Sequence, residues 1–581
     1  MIKQLSWKVG GQQGEGIEST GEIFATALNR MGYYLYGYRH FSSRIKGGHT
    51  NNKIRVSTTK ISAISDDLDI LVAFDQETID LNFHELREGG IVIADAKFNP
   101  TIPENENNIK LYAVPFTEIA TELGTSLMKN MVAIGATCAV LRFEAEDFRN
   151  VVSEIFGKKG QQVVEKNIEA VQKGMEAFNE LAGGPVEGFS LEKADGKNRL
   201  FMIGNDAISL GCMAAGVRFM SAYPITPASE IMEYLIQKLP KVGGTVIQTE
   251  DEIAACTMAI GANYGGVRTL TASSGPGLSL MMEAIGLSGM TETPLVIVDT
   301  QRGGPSTGLP TKQEQSDFMS LIYGTHGEIP KVVMAPATAE EAFYDTVEAF
   351  NIAEEYQVPV IIATDLQLSL GKQTVEPLEL DKTEIRRGKF DFNQKIENEN
   401  KEYFKRYEVT EDGVSTRVVP GMLGGIHHVT GVEHAETGKP SESPVNRQAQ
   451  MDKRLRKLNV LPERFPTPVY KNAPHAEADV LIIGVNSTRG GIEEAMEKLE
   501  ADGIKANHAH IRLIHPFPTK ELKPLVDAAK KVVVVEHNAT GQIANLVKMN
   551  VGGAEKMSNL LKYDGNPLLP SQIYKEVKEM L

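Results

Sequence analysis

The chain has 581 residues, of which 60 are Lys or Arg and 76 are Asp or Glu, giving a formal net charge of -16 at pH 7. This acidic balance argues against a general nucleic-acid-binding protein, whose surface is basic. The length suggests roughly four domains or three larger ones. The three cysteines, Cys138, Cys212 and Cys256, form no CxxC pair, so the sequence favours no zinc knuckle, redox dithiol or iron–sulfur ligand set.

Membrane and export signals are not predicted either. The longest uncharged stretches, residues 253–267 and 418–432, contain 15 residues each and include several glycines. A membrane-spanning helix needs about 18 or more apolar residues. The first residues, MIKQLSWKV, lack the apolar centre of a signal peptide and predict a first strand. We therefore expect a soluble protein, and the sparse cysteines favour the cytoplasm.

Three stretches alternate short β-branched runs with helix-length amphipathic segments, which predicts three open, mostly parallel-sheet α/β domains. The expected domains are residues 1–190, 197–372 and 476–581, with a charged linker or insert at 373–475. Strands are predicted at residues 5–9, 54–57, 70–74 and 91–95, then at 200–203, 245–248, 268–272, 295–299, 331–334 and 359–364, and finally at 480–484, 506–512 and 531–536.

The insert differs in composition from the stretches on either side. Of the 23 residues at 384–406, 12 are charged, which is typical of a solvated face or a linker. His427, His428 and His434 follow in a stretch rich in Gly, Pro and Ser. Adjacent histidines point in different directions and no carboxylate lies at helical spacing, so a metal site there is not favoured.

The first domain opens with a strand, the turn GGQQGEG at residues 10–16, and a helix predicted at about 18–31. Glycines let backbone N–H groups approach an anion at a helix N-terminus. The spacing does not match GxGxxG, so a tight structural turn and a phosphate site remain equally open. The next loop, residues 39–49, is basic and is either a solvated loop or a surface for a phosphorylated ligand or an acidic partner.

Two segments of the second domain place polar groups where strands meet helices. The prolines of YPITP, residues 223–227, stiffen the turn around Thr226, although this is also explained by a rigid helix entrance with Ser229 as the N-cap. Farther on, TEDE at residues 249–252 begins a helix predicted at 253–263, where acidic residues usually complement the helix dipole. Small apolar residues follow Glu252, so its carboxyl could be buried and could hold or share a proton.

Two further loops follow strands of the same domain. SSGPG, residues 273–277, precedes a helix predicted at 278–287, and Thr271 and Ala272 stand where a GxSxG nucleophile elbow requires glycine. A serine hydrolase is therefore disfavoured. In QRGGPSTGLPT, residues 301–311, an Arg and several hydroxyls on a rigid loop are suited to binding a carboxylate.

Taken together, four blocks resemble the alpha subunit of the 2-oxoacid:ferredoxin oxidoreductases: YPITP, TEDEIA, TASSGPGLSLMMEAIGLSGM and QRGGPSTGLPT. The GGQQGEG block resembles that family's gamma subunit, fused here ahead of alpha. The segments VTGVEH, residues 429–434, and EHNATGQ, residues 536–542, resemble the 2-oxoglutarate-type members. The gamma match is looser, because the family often has a YGxExRGG-like loop where this chain has Ile45 and Lys46.

The resemblance implies thiamine diphosphate chemistry on a 2-oxoacid. Glu252 matches the glutamate that activates the cofactor by bonding the aminopyrimidine ring nitrogen, and the cofactor then acts as the electron sink. Coenzyme A accepts the acyl group as co-substrate, and the electrons pass to ferredoxin. By the same matching, the residues implied to bind the substrate are Thr226, Arg302 and Thr307. Those implied to bind the cofactor besides Glu252 are Tyr223, Pro224, Ile225, Ser274 and Gly275.

The family also implies a beta subunit, in an (αβ)2 assembly. Thiamine enzymes usually hold Mg²⁺ and the diphosphate with a GDG motif, and this sequence contains none. Together with the scattered cysteines, this indicates that the beta subunit carries the Mg²⁺ and a 4Fe-4S cluster, and that the chain is inactive alone. The leading hypothesis is thus half of a 2-oxoglutarate oxidoreductase.

Three other hypotheses remain. The first is the same chemistry on pyruvate or another 2-oxoacid, since a few pocket residues decide the substrate. The second is a non-catalytic structural or regulatory subunit, in which the Gly-rich turns only shape sheets and cap helices. The third, a non-oxidative thiamine enzyme, is weakened because such enzymes usually carry their own GDG motif.

Overall fold

The computed structural model describes residues 1–41, 48–104, 107–393, 396, 402–465 and 467–581. The chain forms two compact units. Unit 1 contains Met1–Met202, Leu370–Pro377 and Leu569–Ser571, and unit 2 contains Ile203–Ser369, Leu378–Leu568 and Gln572–Leu581. Within the described residues, no helix combines the length and the apolar character needed to cross a membrane.

The strands, in chain order, are β1 (Gln4–Gln12), β2 (Tyr34–His40), β3 (His49–Ser57), β4 (Leu68–Ala73), β5 (Leu86–Asp95), β6 (Lys110–Val114), β7 (Leu200–Met202), β8 (Phe219–Ala222), β9 (Thr245–Gln248), β10 (Thr269–Ser273), β11 (Leu295–Gln301), β12 (Val332–Met334), β13 (Pro359–Asp365), β14 (Gln373–Val375), β15 (Val469–Asn472), β16 (Ala478–Val485), β17 (Ala506–Ile511), β18 (Leu513–His515), β19 (Ala529–Glu536) and β20 (Met557–Leu561).

The α-helices are α1 (Ile17–Arg30), α2 (Gln76–Asn82), α3 (Phe116–Glu122), α4 (Lys129–Leu141), α5 (Arg149–Phe156), α6 (Gln161–Ala182), α7 (Gly204–Ala214), α8 (Ser229–Lys238), α9 (Glu252–Tyr264), α10 (Gly275–Met290), α11 (Phe318–Tyr323), α12 (Ala339–Tyr356), α13 (Leu366–Leu370), α14 (Pro444–Arg456), α15 (Leu461–Arg464), α16 (Thr488–Ala501), α17 (Thr519–Ala528), α18 (Gln542–Asn550) and α19 (Pro570–Met580).

Unit 1 is built on a mixed sheet with the strand order β6-β5-β4-β1-β3-β2-β14-β7. Strand β1 runs parallel to β4 and antiparallel to β3. Helices α4 and α6 touch through their backbones, because a Cβ on Gly135 would lie 2.0 Å from the carbonyl oxygen of Val171, and one on Gly174 would lie 2.1 Å from that of Val132. The two glycines are therefore fixed by close helix packing.

Unit 2 contains two sheets, with the orders β18-β12-β13-β11-β10-β8-β9 and β15-β17-β16-β19-β20. Except for the antiparallel edge strands β18 and β15, the pairs in both sheets are parallel. In such sheets ligands bind beyond the carboxyl ends of the strands. Strands β8, β10 and β11 end together at one edge of the larger sheet, and the candidate site lies there.

The predicted α/β fold class with three sheets is confirmed; the two sheets of unit 2 are mostly parallel and the sheet of unit 1 is mixed. Each predicted strand corresponds to an observed one, with small shifts at the ends. The predicted strands do not include β2, β6, β8, β14, β15, β18 and β20. Strands β3 and β5 each begin five residues earlier than predicted, at His49 and Leu86. Most of the strands that were not predicted are edge or antiparallel strands rich in polar residues, so they lack the continuous apolar run of a buried parallel strand.

Part of the charged stretch is paired with buried acids rather than solvated. Glu354 in α12, 2% exposed, accepts hydrogen bonds from Arg268 at 2.8 Å and from Arg387 and Arg417 at 3.1 Å. Ion pairing of this kind is the means by which charged side chains are buried. This network anchors Arg387 of the charged stretch, and Arg417 farther along the insert, on α12.

The histidines of the insert have structural partners. Nδ1 of His427 lies 2.8 Å from the carbonyl oxygen of Gly425, and Nδ1 of His434 lies 3.0 Å from that of Val432. Both rings pack near the ring of Tyr407. In the part of the chain that the structure describes, no group of three or more His, Cys, Asp or Glu side chains is arranged to hold a metal ion.

Candidate active site

A cavity of about 500 Å³ lies in unit 2, beside the N-terminal end of α10 and the loop that follows β11. Three residues singled out from the sequence line it, namely Gly275, Arg302 and Thr307. Asp317 lines the same cavity from the segment that leads into α11. The loop after β11, the segment that leads into α11 and the N-terminal end of α10 therefore meet at one place. This is the edge of the sheet where the parallel strands end.

The Arg302 side chain holds two loops together. Its Nη1 donates to the carbonyl oxygen of Thr226 at 2.6 Å, and its Nη2 donates to the carbonyl oxygen of Thr307 at 3.2 Å. Arg302 is 7% exposed, and its Nε is buried without an acceptor among the described residues. Burial lowers the pKa of Arg302, and nearby Asp317 opposes that shift. The guanidinium is thus positioned by backbone and retains a donor for a ligand.

Glu252 is the first residue of α9, which Asp251 caps by accepting a hydrogen bond from the amide of Ala254 at 2.8 Å. Glu252 is 7% exposed. It lies against Gly277, where an added Cβ would be 2.8 Å from Glu252 Oε1 and 2.1 Å from Ser273 Oγ. The Glu252 side chain is therefore packed between the start of α9 and the start of α10.

Asp299 and Asp317 form a pair of carboxyl groups next to Arg302. Asp299 lies in β11 and is fully buried, with neither oxygen accepting a hydrogen bond from an N–H or O–H group of the described chain. Burial and the neighbouring Asp317 raise the pKa of Asp299 well above its ordinary value. Burial and Glu314 raise the pKa of Asp317 to about 6, against the opposing effect of Arg302.

The other residues singled out from the sequence are not among those that line the cavity. Tyr223, Pro224 and Ile225 follow β8, and Tyr223 is 40% exposed. Ser274 precedes α10, and its buried Oγ lacks a partner among the described residues. The prediction that Ser229 caps α8 is wrong: Ala228 occupies that position, and Ser229 is the first helical residue.

Sequence reasoning missed Asp299, Gly277 and Asp317. Asp299 ends an apolar run, which is a signal for a polar group at the edge of a parallel sheet. Gly277 lies in the SSGPG segment, but its sequence context offers no reason why this position requires a residue without a side chain. Asp317 had no signal, because its contact with Gly275, whose added Cβ would be 2.8 Å from both Asp317 oxygens, depends on tertiary packing.

The glycine turn of unit 1 has a structural explanation. Gly16 has φ 84° at the start of α1, and an added Cβ would lie 2.1 Å from Nδ2 of Asn130.

Arg39, predicted to belong to a basic loop, lies in β2 and forms an ion pair with Glu18. Residues 42–47 of that predicted loop lie outside the described residues.

Comparison with protein families identifies the class of protein that this fold and site define. Residues 210–453 match the pyruvate flavodoxin/ferredoxin oxidoreductase thiamine diphosphate-binding family. Residues 6–177 match the pyruvate ferredoxin/flavodoxin oxidoreductase family, and residues 478–573 match core domain II of pyruvate:ferredoxin oxidoreductase. The cavity and Glu252 both fall in the thiamine diphosphate-binding part.

Individual relatives narrow the identification. The 2-oxoacid:ferredoxin oxidoreductase subunit alpha of a Sulfolobus species is 34% identical over 98% of this chain and 96% of its own length. The chain belongs to this family of alpha subunits. The 2-oxoglutarate synthase subunit KorA of Methanothermobacter marburgensis is 36% identical over 65% of this chain and 98% of its own length.

A solved structure extends the likeness to three dimensions. The 2-oxoglutarate:ferredoxin oxidoreductase from Magnetococcus marinus, with 2-oxoglutarate, coenzyme A and succinyl-CoA bound, is 36% identical, with a TM-score of 0.93. The match covers 100% of both chains. The chain is therefore a subunit of a 2-oxoacid:ferredoxin oxidoreductase, with the α/β architecture of that enzyme.

Proposed function

We propose that this chain, with a beta subunit, catalyses the coenzyme A-dependent oxidative decarboxylation of 2-oxoglutarate to an acyl-CoA and carbon dioxide, with electrons passed to ferredoxin. The observation that carries the choice of substrate is the full-length likeness to the Magnetococcus enzyme, which binds 2-oxoglutarate and succinyl-CoA. The likeness to the KorA subunits, named for 2-oxoglutarate, supports the same choice.

Glu252 is the proposed catalytic residue. The site fits thiamine diphosphate, because Glu252 places a largely buried carboxyl group at the start of α9 and Gly277 has no Cβ that would displace it. When bound, the cofactor supplies the electron sink for loss of carbon dioxide. Glu252 would bond the aminopyrimidine ring nitrogen and hold or share a proton there. Tyr223, Pro224, Ile225, Ser274 and Gly275 are the further residues proposed to hold the cofactor.

Arg302 is proposed to bind the substrate carboxylate, together with Thr226 and Thr307. Its Nε is buried without an acceptor in the described chain, and a carboxylate would supply one. Charge-assisted hydrogen bonds from Arg to a carboxylate are about twice as strong as neutral ones. The carbonyl groups of Thr226 and Thr307 hold the guanidinium in place.

The beta subunit is proposed to complete the site with Mg²⁺ and a 4Fe-4S cluster, in an (αβ)2 assembly. The sequence contains no GDG motif, and Cys138, Cys212 and Cys256 are buried as free thiols at separate places in the chain. These observations support a division of labour in which this chain supplies the residues around the reacting carbon.

Co-purification with the beta subunit, followed by turnover assays, tests the proposal. The assays compare 2-oxoglutarate, pyruvate and a branched-chain 2-oxoacid, with coenzyme A and an artificial electron acceptor. We expect acyl-CoA formation with 2-oxoglutarate as the preferred substrate. A preference for pyruvate would favour a second candidate function, the same oxidative decarboxylation with pyruvate as substrate. The matches to pyruvate oxidoreductase families support that candidate. No turnover of any 2-oxoacid by an assembled, iron-containing complex would contradict both.

A further inference from the structure

Asp299 and Asp317 meet beside the cavity from different directions. Asp299 lies in β11 and is fully buried, whereas Asp317 lines the cavity itself. Neither Asp299 oxygen accepts a hydrogen bond from the described chain, and Oδ2 of Asp317 also has no donor there. Two carboxyl groups that share a dry site do not both ionise readily. When one of the two carboxyl groups carries a proton, it can donate a hydrogen bond to the other.

A second, independent observation indicates that the cavity binds an anion. Arg302 is 7% exposed and lines the cavity, and its buried Nε has no acceptor among the described residues. A buried N–H group without an acceptor carries the full cost of its desolvation. An anionic ligand that enters the cavity would remove that cost.

The protonation of the pair responds to the charges around it. The groups that act on Asp317 are Asp299, Glu314 and Arg302. Burial, followed by Glu314, raises the pKa of Asp317 to about 6, and Arg302 opposes the rise. Burial, followed by the charge of Asp317, raises the pKa of Asp299 well above its ordinary value, which favours its protonated form. The pair therefore binds protons more readily than two isolated carboxyl groups would, and Asp317 takes up its proton as pH falls through about 6.

We propose that Asp317, sharing a proton with Asp299, is a positioning residue that couples the binding of a carboxylate at Arg302 to the uptake of a proton. The inference rests on the proposed function, because the carboxylate is that of the 2-oxoacid substrate. An anion bound at Arg302 repels the negative charge of the pair and favours its doubly protonated form. Conversely, the doubly protonated pair leaves the positive charge of Arg302 uncompensated, so the anion binds more tightly.

Calorimetric titration of the complete complex with glutarate tests this coupling. Glutarate has both carboxylates of 2-oxoglutarate but no 2-oxo group, and competition with 2-oxoglutarate establishes that it occupies the same site. Titrations in buffers of different ionisation enthalpy report the protons taken up. We expect net proton uptake at pH 7, and a glutarate Kd that rises by up to about tenfold per pH unit above about pH 6.

Three variants separate the coupling from general damage. In Asp317→Asn the side chain cannot ionise, so glutarate should bind without proton uptake and with little dependence on pH. In Asp299→Asn the amide can donate to the Asp317 carboxylate, which moves the pH dependence of binding to lower pH and serves if the first variant does not fold. Glu328→Gln, at an exposed position in the same unit, should behave as the unmodified complex does.

The outcomes distinguish this inference from the proposed function. Glutarate binding without proton uptake in the unmodified complex, or uptake that persists in Asp317→Asn, would overturn the coupling. Failure of glutarate to bind at any pH would overturn the coupling together with the proposed carboxylate site. Coupled binding in a complex that decarboxylates no 2-oxoacid would support the coupling and contradict only the proposed function.

Discussion

Glu252 lies directly over Gly277, so that a Cβ added to Gly277 would be 2.8 Å from both Cγ and Oε1 of the glutamate. The two residues belong to the first turns of α9 and α10, which follow β9 and β10. Glu252 is 7% exposed. The contact defines the shape of the space in which Glu252 would bond a cofactor ring.

Replacing Glu252 by Gln should abolish decarboxylation without affecting assembly. The amide keeps the size of the side chain but cannot hold or share a proton as a carboxyl does. A proton-transferring group typically contributes about 10²–10⁴-fold to rate, so turnover should fall by at least 10²-fold. The measurement is steady-state turnover of the co-purified complex. Glu250→Gln, at an exposed position two residues earlier, is the control and should retain activity; near-normal turnover of Glu252→Gln would contradict the role.

Gly277→Ala should reduce turnover more than a comparable change elsewhere in α10. The new methyl group would be 2.1 Å from Ser273 Oγ and would displace Glu252. Overpacking of this kind typically costs about 1–3 kcal/mol of stability. Gly286→Ala in the same helix is the matched control, because an added Cβ there has no neighbour within 4 Å. Thermal unfolding and kcat are compared for both variants. Equal, small effects would show that the Glu252 contact is unimportant.

Arg302→Lys should raise the KM for the 2-oxoacid. A lysine ammonium cannot donate to two separate carbonyl groups and a ligand with the fixed fork of a guanidinium. Loss of a hydrogen bond to a charged ligand costs about 1.5–3 kcal/mol, which corresponds to a KM higher by roughly 10- to 100-fold. Arg464→Lys, at an exposed position in the same unit, should leave KM unchanged. An unaltered KM in Arg302→Lys would remove Arg302 from the substrate site.

Glu292→Gln should strongly destabilise unit 2. The fully buried Glu292 carboxylate accepts hydrogen bonds from Lys453 at 2.7 Å and from Lys457. Burial opposes its ionisation, but the two lysines outweigh burial and lower the pKa of Glu292. Removing one partner of a buried ion pair costs about 3–5 kcal/mol. Asp527→Asn removes the exposed Lys523–Asp527 pair and should cost less than about 1 kcal/mol. Chemical unfolding measures the free energy of unfolding of both variants. A similar small loss in each would show that the ion pairs of Glu292 do not stabilise the fold.

His508 should make the protein less stable as the solution is acidified. Burial, followed by the charge of Arg489, lowers the pKa of His508 to about 3. Below its ordinary pKa of about 6.5, the unfolded chain binds a proton that the folded chain does not, so stability is lost as pH falls from about 6.5 towards 3. One such histidine can change the free energy of unfolding by at most about 1.4 kcal/mol per pH unit.

The variant His508→Asn should therefore show a shallower fall in unfolding free energy between pH 7 and pH 4, as followed by denaturant unfolding. His326→Asn, at an exposed position, should keep the slope of the unmodified protein. An identical slope in His508→Asn would show that this histidine is already charged in the folded state.

The sequence by itself determined the α/β class, most of the parallel strands and the blocks that carry Glu252, Arg302 and Thr226. These follow from local properties, because a buried parallel strand is a continuous apolar run and the polar residues after it mark the sheet edge. Sequence patterns did not reveal the interior antiparallel strand β2 or the edge strand β15, because neither has the continuous apolar run of a buried parallel strand.

Only the tertiary structure decided how the site residues meet. The pairing of Asp299 with Asp317, the contact of Glu252 with Gly277, and the two carbonyl groups that hold Arg302 join residues up to 76 positions apart. Such contacts depend on which strands are neighbours and where their loops fold back. The same reason explains the charged insert. Its sequence shows the charges of Arg387 and Arg417 but not the buried carboxylate of Glu354 that pairs with them.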